Sequence, residues 1–556
     1  GETRAARAAW EGVLGLPAEA RRHKSVWAAY MLGRSWEDED PARARAEYAR
    51  ARRLADEGFR DSDALAVASL GREARLNLAE ADWVSAFRRY LQQHAAGDAG
   101  ALASLGTTAA RFFGASAADW PPVAQDPLLS RLVTAWLAAQ NADSARWREV
   151  PEAGPVERVR RWAEALEPAE AADPALAELV ALALFQVREA GLAEPWLARA
   201  GATPVTVWLR AKGEVSRGSL ARAAGWLDEA LRRVPDPAAP EGLLASLYIG
   251  HSWPETPDRA VRRLRGERGA LRLAQGDFHG ALEDFLRSGH WTDAAYVAER
   301  VLTVDELKRV VDGPWREPPR RKGGEVPAGP QLIREVRGRL RELLARRLVR
   351  LERGDEATAY FGAARQPVHA SLQALLLTGQ DESLPVPARV QAWQAAAHLV
   401  RTNGLELLGT ELAPDWALLA GQGEDDLTPA FRATNGTFRL VRASEAELDR
   451  ARAHAPDPDR RFHHRYRAAG LLWAAAELLP DGEAAAGLLD QGGRWLMHSD
   501  PPVADFFYKG LVTRGWSTPL GQAAEAQRWF PPRDAAGQPL VTRRSAPGLT
   551  DAAASD

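Results

Sequence analysis

Cysteine is absent from this 556-residue chain. Disulfides, zinc fingers, thiolate metal sites and cysteine nucleophiles are therefore excluded. Lysine is scarce: Lys24, Lys212, Lys308, Lys322 and Lys509 stand alone, and arginine supplies the rest of the 72 cationic side chains. Arginine suits bidentate recognition of carboxylate or phosphate. Yet Ala, Arg, Gly and Pro are abundant together while Asn and Lys are rare, the mark of GC-rich coding and here of a bacterial composition. No apolar run approaches the roughly 20 residues of a membrane-spanning helix. The most apolar stretch, Ala175 to Phe185, carries Glu178. An excess of one sign of charge is also missing. The balance of 72 Lys and Arg against 75 Asp and Glu leaves −3, which argues against a nucleic-acid binder by bulk charge.

What is present suits a folded protein: 46% apolar and 26% charged residues lie outside the disordered range. Alternating strand patterns do not occur at useful length. Instead Ala, Leu and aromatics recur at i, i+3, i+4 and i+7 with Arg and Glu between them, which predicts amphipathic helices. Gly-Asp, Asp-Pro and Pro-Asp pairs punctuate these stretches as helix stops and starts.

The helices come in pairs. Between Pro204 and Asp236, Val207, Trp208 and Ala211 mark one helix, Arg217-Gly218 a turn, and Ala223, Leu227 and Ala230 a second. Small residues let two helices approach, and the large one fills the gap to the next pair. The same order recurs in Gly269, Gly276-Asp277, Ala281 and Phe285. It recurs again in Leu32-Gly33 and Trp36 followed by Ala44, Tyr48 and Ala51. Weaker copies are Leu70-Gly71 with Ala86 and Tyr90, and Gly354-Asp355 with Ala357, Phe361 and Ala364. On these residues the chain resembles the tetratricopeptide-repeat superfamily, with degenerate repeats. The resemblance implies an all-α, right-handed superhelical solenoid of antiparallel helix pairs closed by a C-terminal helical cap. It also implies that first-helix residues line the inner face. Trp27, Tyr30 and Arg34, and likewise Trp208 and Lys212, would then be candidate partner-binding residues, an aromatic beside a cation being a plausible peptide anchor. The alternative role for each is an ordinary contact between repeats. The family's paired Lys and Asn for gripping a C-terminal carboxylate are not found.

The expected organisation runs as N-terminal repeats over 1–118 and central repeats over 119–311, then a Pro/Gly-rich linker over 312–330. Second-half repeats follow over 331–420, an irregular insertion over 421–442, an aromatic-rich helical domain over 443–532 and a flexible tail over 533–556. The linker bears Arg316, Arg320, Arg321 and Lys322, partly offset by Glu317 and Glu325. It reads either as a basic loop for an anionic partner or as a solvated connector. Thr434 to Arg442 is a candidate hairpin, and Asn435-Gly436-Thr437 matches a glycosylation sequon. Trp473, Trp495, Phe506, Phe507, Tyr508, Trp516, Trp529 and Phe530 give the C-terminal domain its aromatic density.

Chemistry-bearing motifs are few. There is no P-loop, His-Glu-x-x-His, Gly-x-Ser-x-Gly or Rossmann fingerprint. His463-His464 lies among arginines that would repel a metal cation. No catalytic residue, metal or cofactor is assigned, although diffuse carboxylate pairs such as those of glycosidases leave no compact motif. The expected function is a non-enzymatic scaffold that binds another protein along a concave helical face, within a larger assembly. The alternative is an extracytoplasmic glycan-binding or glycan-processing protein, which the 20 tryptophans suggest. Gly1 in place of Met leans slightly toward a periplasmic or extracellular location.

Overall fold

The computed structural model describes residues 2–147, 153–167, 173–234, 257–315, 331–420, 422, 441–535, 537, 539 and 540. It is all-helical: helix accounts for 75% of it, in 27 α-helices packed as adjacent pairs. Among the described residues there is no strand, and β-type pairing is confined to a bridge between Arg533 and Pro539. The chain forms two compact units. One is Gly1–Arg217 with Gly225–Ala260; the other is Gly218–Ala224 with Val261–Asp556.

The punctuation read from the sequence acts as helix capping. Asp40 accepts the Arg43 amide at 2.9 Å and starts helix Pro41–Asp56, with Pro41 in its first turn. Asp277 accepts the Gly280 amide at 2.9 Å and starts helix Phe278–Ser288. Gly276 before it takes φ +81°, a left-handed conformation that ends the preceding helix without a side-chain clash.

Pairs close where glycine meets an aromatic ring. A Cβ on Gly33, in helix Ser25–Trp36, would stand 2.6 Å from Tyr48 of helix Pro41–Asp56. A Cβ on Gly269, in helix Pro257–Ala274, would stand 2.8 Å from Phe285 of the next helix. Gly379 meets Trp393, and Gly492 meets Phe507, in the same way. The small residues of the recurring pattern, Ala44, Ala51, Ala86, Ala223, Ala230 and Ala281, are buried. One copy of the pattern departs from expectation. After Gly354 a single helical turn, Gly354–Ala357, runs into a 3-10 turn, Thr358–Tyr360, and Phe361 is extended. The next helix is Gln366–Gln380, with Pro367 in its first turn. Proline is tolerated in a first turn, where its missing amide costs no helical bond, so Pro367 suits the start of this helix.

Each unit has its own apolar interior. In the first, Phe112, Phe113, Trp120 and Trp162 meet edge to face, and Trp162 donates to Thr134 Oγ1 at 2.8 Å. In the second, one continuous core runs from Leu273 to Phe530. Of the C-terminal aromatics, Phe507 and Phe530 are buried in that core, whereas Phe506 and Trp516 are 66% and 68% exposed. No described helix is long and apolar enough to cross a membrane. Most of the linker 312–330, most of the insertion 421–442 with its sequon, and the end of the 533–556 stretch lie outside the described residues.

Candidate functional site

The five candidate partner-binding residues are divided by the packing. Trp27 and Arg34, on helix Ser25–Trp36, are exposed. Trp27 meets the Trp10 ring edge-on at 6.2 Å and the Lys24 ammonium at 5.2 Å, so its cation is Lys24 rather than Arg34. Tyr30 is buried against Tyr48 at 5.7 Å. Trp208, on helix Pro204–Ser216, is also buried; its ring meets Phe185 at 5.9 Å and the Lys212 ammonium at 5.3 Å. Burial removes Tyr30 and Trp208 from any surface a partner touches, and both fill interhelical space. Arg316, Arg320, Arg321 and Lys322 lie outside the described residues.

Beside Trp208 the first unit opens a groove of about 640 Å3. Three helices build it: Pro174–Gln186, Ala190–Arg199 and Pro204–Ser216. Its floor is Phe185, Leu197 and Leu209 with the small residues Ala190, Gly191, Ala193 and Gly213. Small residues here leave space: a Cβ on Gly191 would meet nothing within 4 Å. The rim charges are satisfied internally. Arg217 pairs with Glu194 and, at 3.3 Å, with Glu214, while Arg210 donates to the Leu197 carbonyl at 3.2 Å. Pro195 lies inside helix Ala190–Arg199 and has no amide for the Gly191 carbonyl one turn earlier, which loses its helical donor at the groove wall. No tryptophan lines the groove.

The second unit holds a buried ionic cluster that sequence reasoning did not foresee. Glu299 sits on a π-helical turn, Val297–Val301; Arg346, Arg347 and Arg350 sit on helix Gln331–Arg350; Glu411 and Asp415 sit on the segment after helix Val386–Leu408. Glu299 pairs with Arg350 and accepts the Glu411 amide at 2.9 Å. Glu411 pairs with Arg346 and accepts Trp291 Nε1–H at 2.8 Å. Arg347 donates to the Ala298 and Leu302 carbonyls at 2.6 and 2.7 Å. Arg350 also donates to the Leu408 carbonyl at 2.7 Å. Asp415 accepts the Thr410 amide at 3.0 Å, and its Oδ2 lies 2.7 Å from His463 Nδ1. Burial works against charge on Glu299, but Arg350, Arg347 and the Glu411 amide hold its carboxyl below the usual carboxylate range. Burial brings the Arg347 guanidinium down to about 10. The carboxylates of Glu299, Glu411 and Asp415 are thus spent on internal partners, and the cluster fixes loops to helices. Among the described residues no group of three or more His, Asp or Glu side chains gathers as a metal site requires.

No protein-family model matches the chain, and no curated protein matches it in sequence.

The histidines make stability depend on pH. Burial, reinforced by His463, Arg465 and Arg401 and opposed by Asp415, holds His464 at about 4. An unfolded histidine takes up its proton near 6.5, so the unfolded chain binds more protons between 6.5 and 4. Stability therefore falls as pH drops through that window, by up to about 1.4 kcal/mol per pH unit per group. Glu306 continues the loss. Burial opposes its charge, yet Arg450 and the Thr303 amide hold it at about 2, against 4.5 unfolded. Its contribution is present above 4.5 and is lost as pH falls toward 2. Urea unfolding followed against pH should show midpoints declining from pH 6.5 downward; a flat profile between 6.5 and 4.5 would contradict the burial of neutral His464.

Proposed function

We propose that this protein is a non-enzymatic scaffold that receives an extended or helical apolar segment of another protein in the groove of its first unit. The helix pairs within each unit are read as a tetratricopeptide-like array succeeding one another in a right-handed superhelix. The observation that carries the reading is the groove: an apolar floor, small residues that leave room, and rim arginines already engaged, Arg217 by carboxylates and Arg210 by a carbonyl. Such a surface favours an uncharged, apolar ligand side chain, which gains by leaving water. The Gly191 carbonyl, deprived of its helical donor, offers a backbone acceptor to a peptide N–H.

The test is selection from an unbiased displayed peptide library, followed by binding of the selected peptides to wild-type protein and to Gly191→Trp. The indole fills the groove at a position where the fold has open space, so the variant stays folded. Enrichment of apolar peptides whose affinity falls at least about tenfold in the variant, roughly 1.4 kcal/mol, supports the reading. Peptides bound equally by both proteins, or no enrichment, would overturn it.

A further inference from the structure

Two of the helices that wall the groove are tied to each other by arginines of one of them. Arg210, on helix Pro204–Ser216, donates to the Leu197 carbonyl of helix Ala190–Arg199 at 3.2 Å. Arg217, at the C-terminal cap of the same helix, pairs with Glu194 of the facing helix. The two arginines are about two helical turns apart, or ~10 Å along the axis. The ties differ in kind. Arg210 holds a backbone carbonyl, which is fixed to its helix. Arg217 holds another side chain, and both members of that pair are exposed, to 51% and 60%.

Arg217 also has a second carboxylate within reach. Its Nη1 meets Glu194 on the opposite wall, while its Nη2 lies 3.3 Å from Oε1 of Glu214, in the last turn of its own helix. The guanidinium between them lies over Gly213, where a Cβ would stand 3.4, 3.7 and 3.8 Å from Nη2, Nη1 and Cζ. Glu194, Gly213 and Arg217 line the groove together with Phe185 and Leu209. The Arg217–Glu194 pair therefore crosses the groove from wall to wall. Water and salt compete for an exposed pair and keep it weak. Exposed side chains also change rotamer within nanoseconds.

We propose that Arg217 is a two-position strap over the groove: closed on Glu194 it bars the apolar segment, and retracted onto Glu214 it admits it. This inference rests on the groove being the binding site. An apolar segment offers Arg217 no countercharge, so a carboxylate of the protein itself must take the guanidinium when the strap opens. Glu214 stands where that carboxylate is needed. The strap makes the competent state a fraction of the whole, and the apparent binding rate scales with that fraction.

The experiment is stopped-flow binding of Nile red, an uncharged apolar dye that long-range charge steering does not guide. It is run on the full chain as wild type, Glu194→Gln, Glu214→Gln, Arg217→Gln and Gly191→Trp. Glu194→Gln should raise the association rate about two- to fivefold, the range a weak exposed pair can supply. Arg217→Gln, which removes the strap, should do the same. Glu214→Gln should lower the rate, because Arg217 then has Glu194 alone. Glu194→Gln and Glu214→Gln each remove one negative charge from the same rim, so a general charge effect would shift both rates in one direction. The ratio of Glu194→Gln to wild type should also shrink as sodium chloride rises and screens the pair. Gly191→Trp separates two failures. If it abolishes dye binding while Glu194→Gln and Glu214→Gln leave the rate unchanged or shift it alike, the strap is overturned and the groove stands. If dye binding is absent, or is unaffected by Gly191→Trp, the groove reading falls and the strap falls with it.

Discussion

Replacing Glu299 by alanine is expected to destabilise the protein by about 3–5 kcal/mol, the usual cost of breaking a buried ion pair from one side. The side chain is 1% exposed and serves two structures at once. One oxygen pairs with Arg350, and the other accepts the Glu411 amide at 2.9 Å. Its removal leaves Arg350 and Arg347 buried beside Arg346 and Arg300 with one fewer negative charge. It also strands the Glu411 amide. Because Glu411 in turn engages Arg346 and Trp291, the damage spreads through the cluster. Urea unfolding of Glu299→Ala measures the effect directly. The double variant Glu299→Ala, Arg350→Met should lose less than the sum of the two single changes, because it removes the charge that Glu299→Ala leaves unpaired. A loss below about 1 kcal/mol for Glu299→Ala would mean that the cluster does not hold the fold.

Trp162→Ala should cost a similar amount, about 3–5 kcal/mol, through a different mechanism. Trp162 is 1% exposed, and its ring is met edge-on by Phe112 at 5.8 Å, Phe113 at 5.6 Å and Trp120 at 5.9 Å. Truncation opens a cavity among rigid rings that cannot collapse into it, and it strips Thr134 Oγ1 of the indole donor. Trp162→Phe keeps most of the volume and loses only the hydrogen bond, so it should cost clearly less. The pair of variants, compared by denaturant midpoint, separates packing from hydrogen bonding. Equal losses in both would place the effect on Thr134.

Local rules made the helical class legible from sequence. Asp40 before Pro41 and Gly276 before Asp277 are signals whose physics is complete within a few residues, and both start helices as read. The approach of Gly33 to Tyr48 and of Gly269 to Phe285 was likewise present as spacing. The buried cluster was not. Arg346 and Arg347 sit in a helix whose composition reads as a solvated face, and what buries them is supplied from distant Glu299, Glu411 and Trp291. Helical periodicity identified the face that carries Trp208 and Tyr30, but not which neighbouring helix covers it. The groove escaped for the opposite reason. Ala190, Gly191 and Gly213 look like residues chosen for close packing, and only the placement of three helices shows that the space at Gly191 is open. At Gly354 the turn signal was real, and Pro367 suits the start of the helix that follows.

The central claim is that the groove among helices Pro174–Gln186, Ala190–Arg199 and Pro204–Ser216 is where a partner binds. Hydrogen–deuterium exchange of the full chain, with and without a selected apolar peptide, tests it most directly. The account predicts slower exchange in those three helices, and no slowing in Gly191→Trp under the same conditions. Protection confined to other helices, or unchanged in Gly191→Trp, would contradict it.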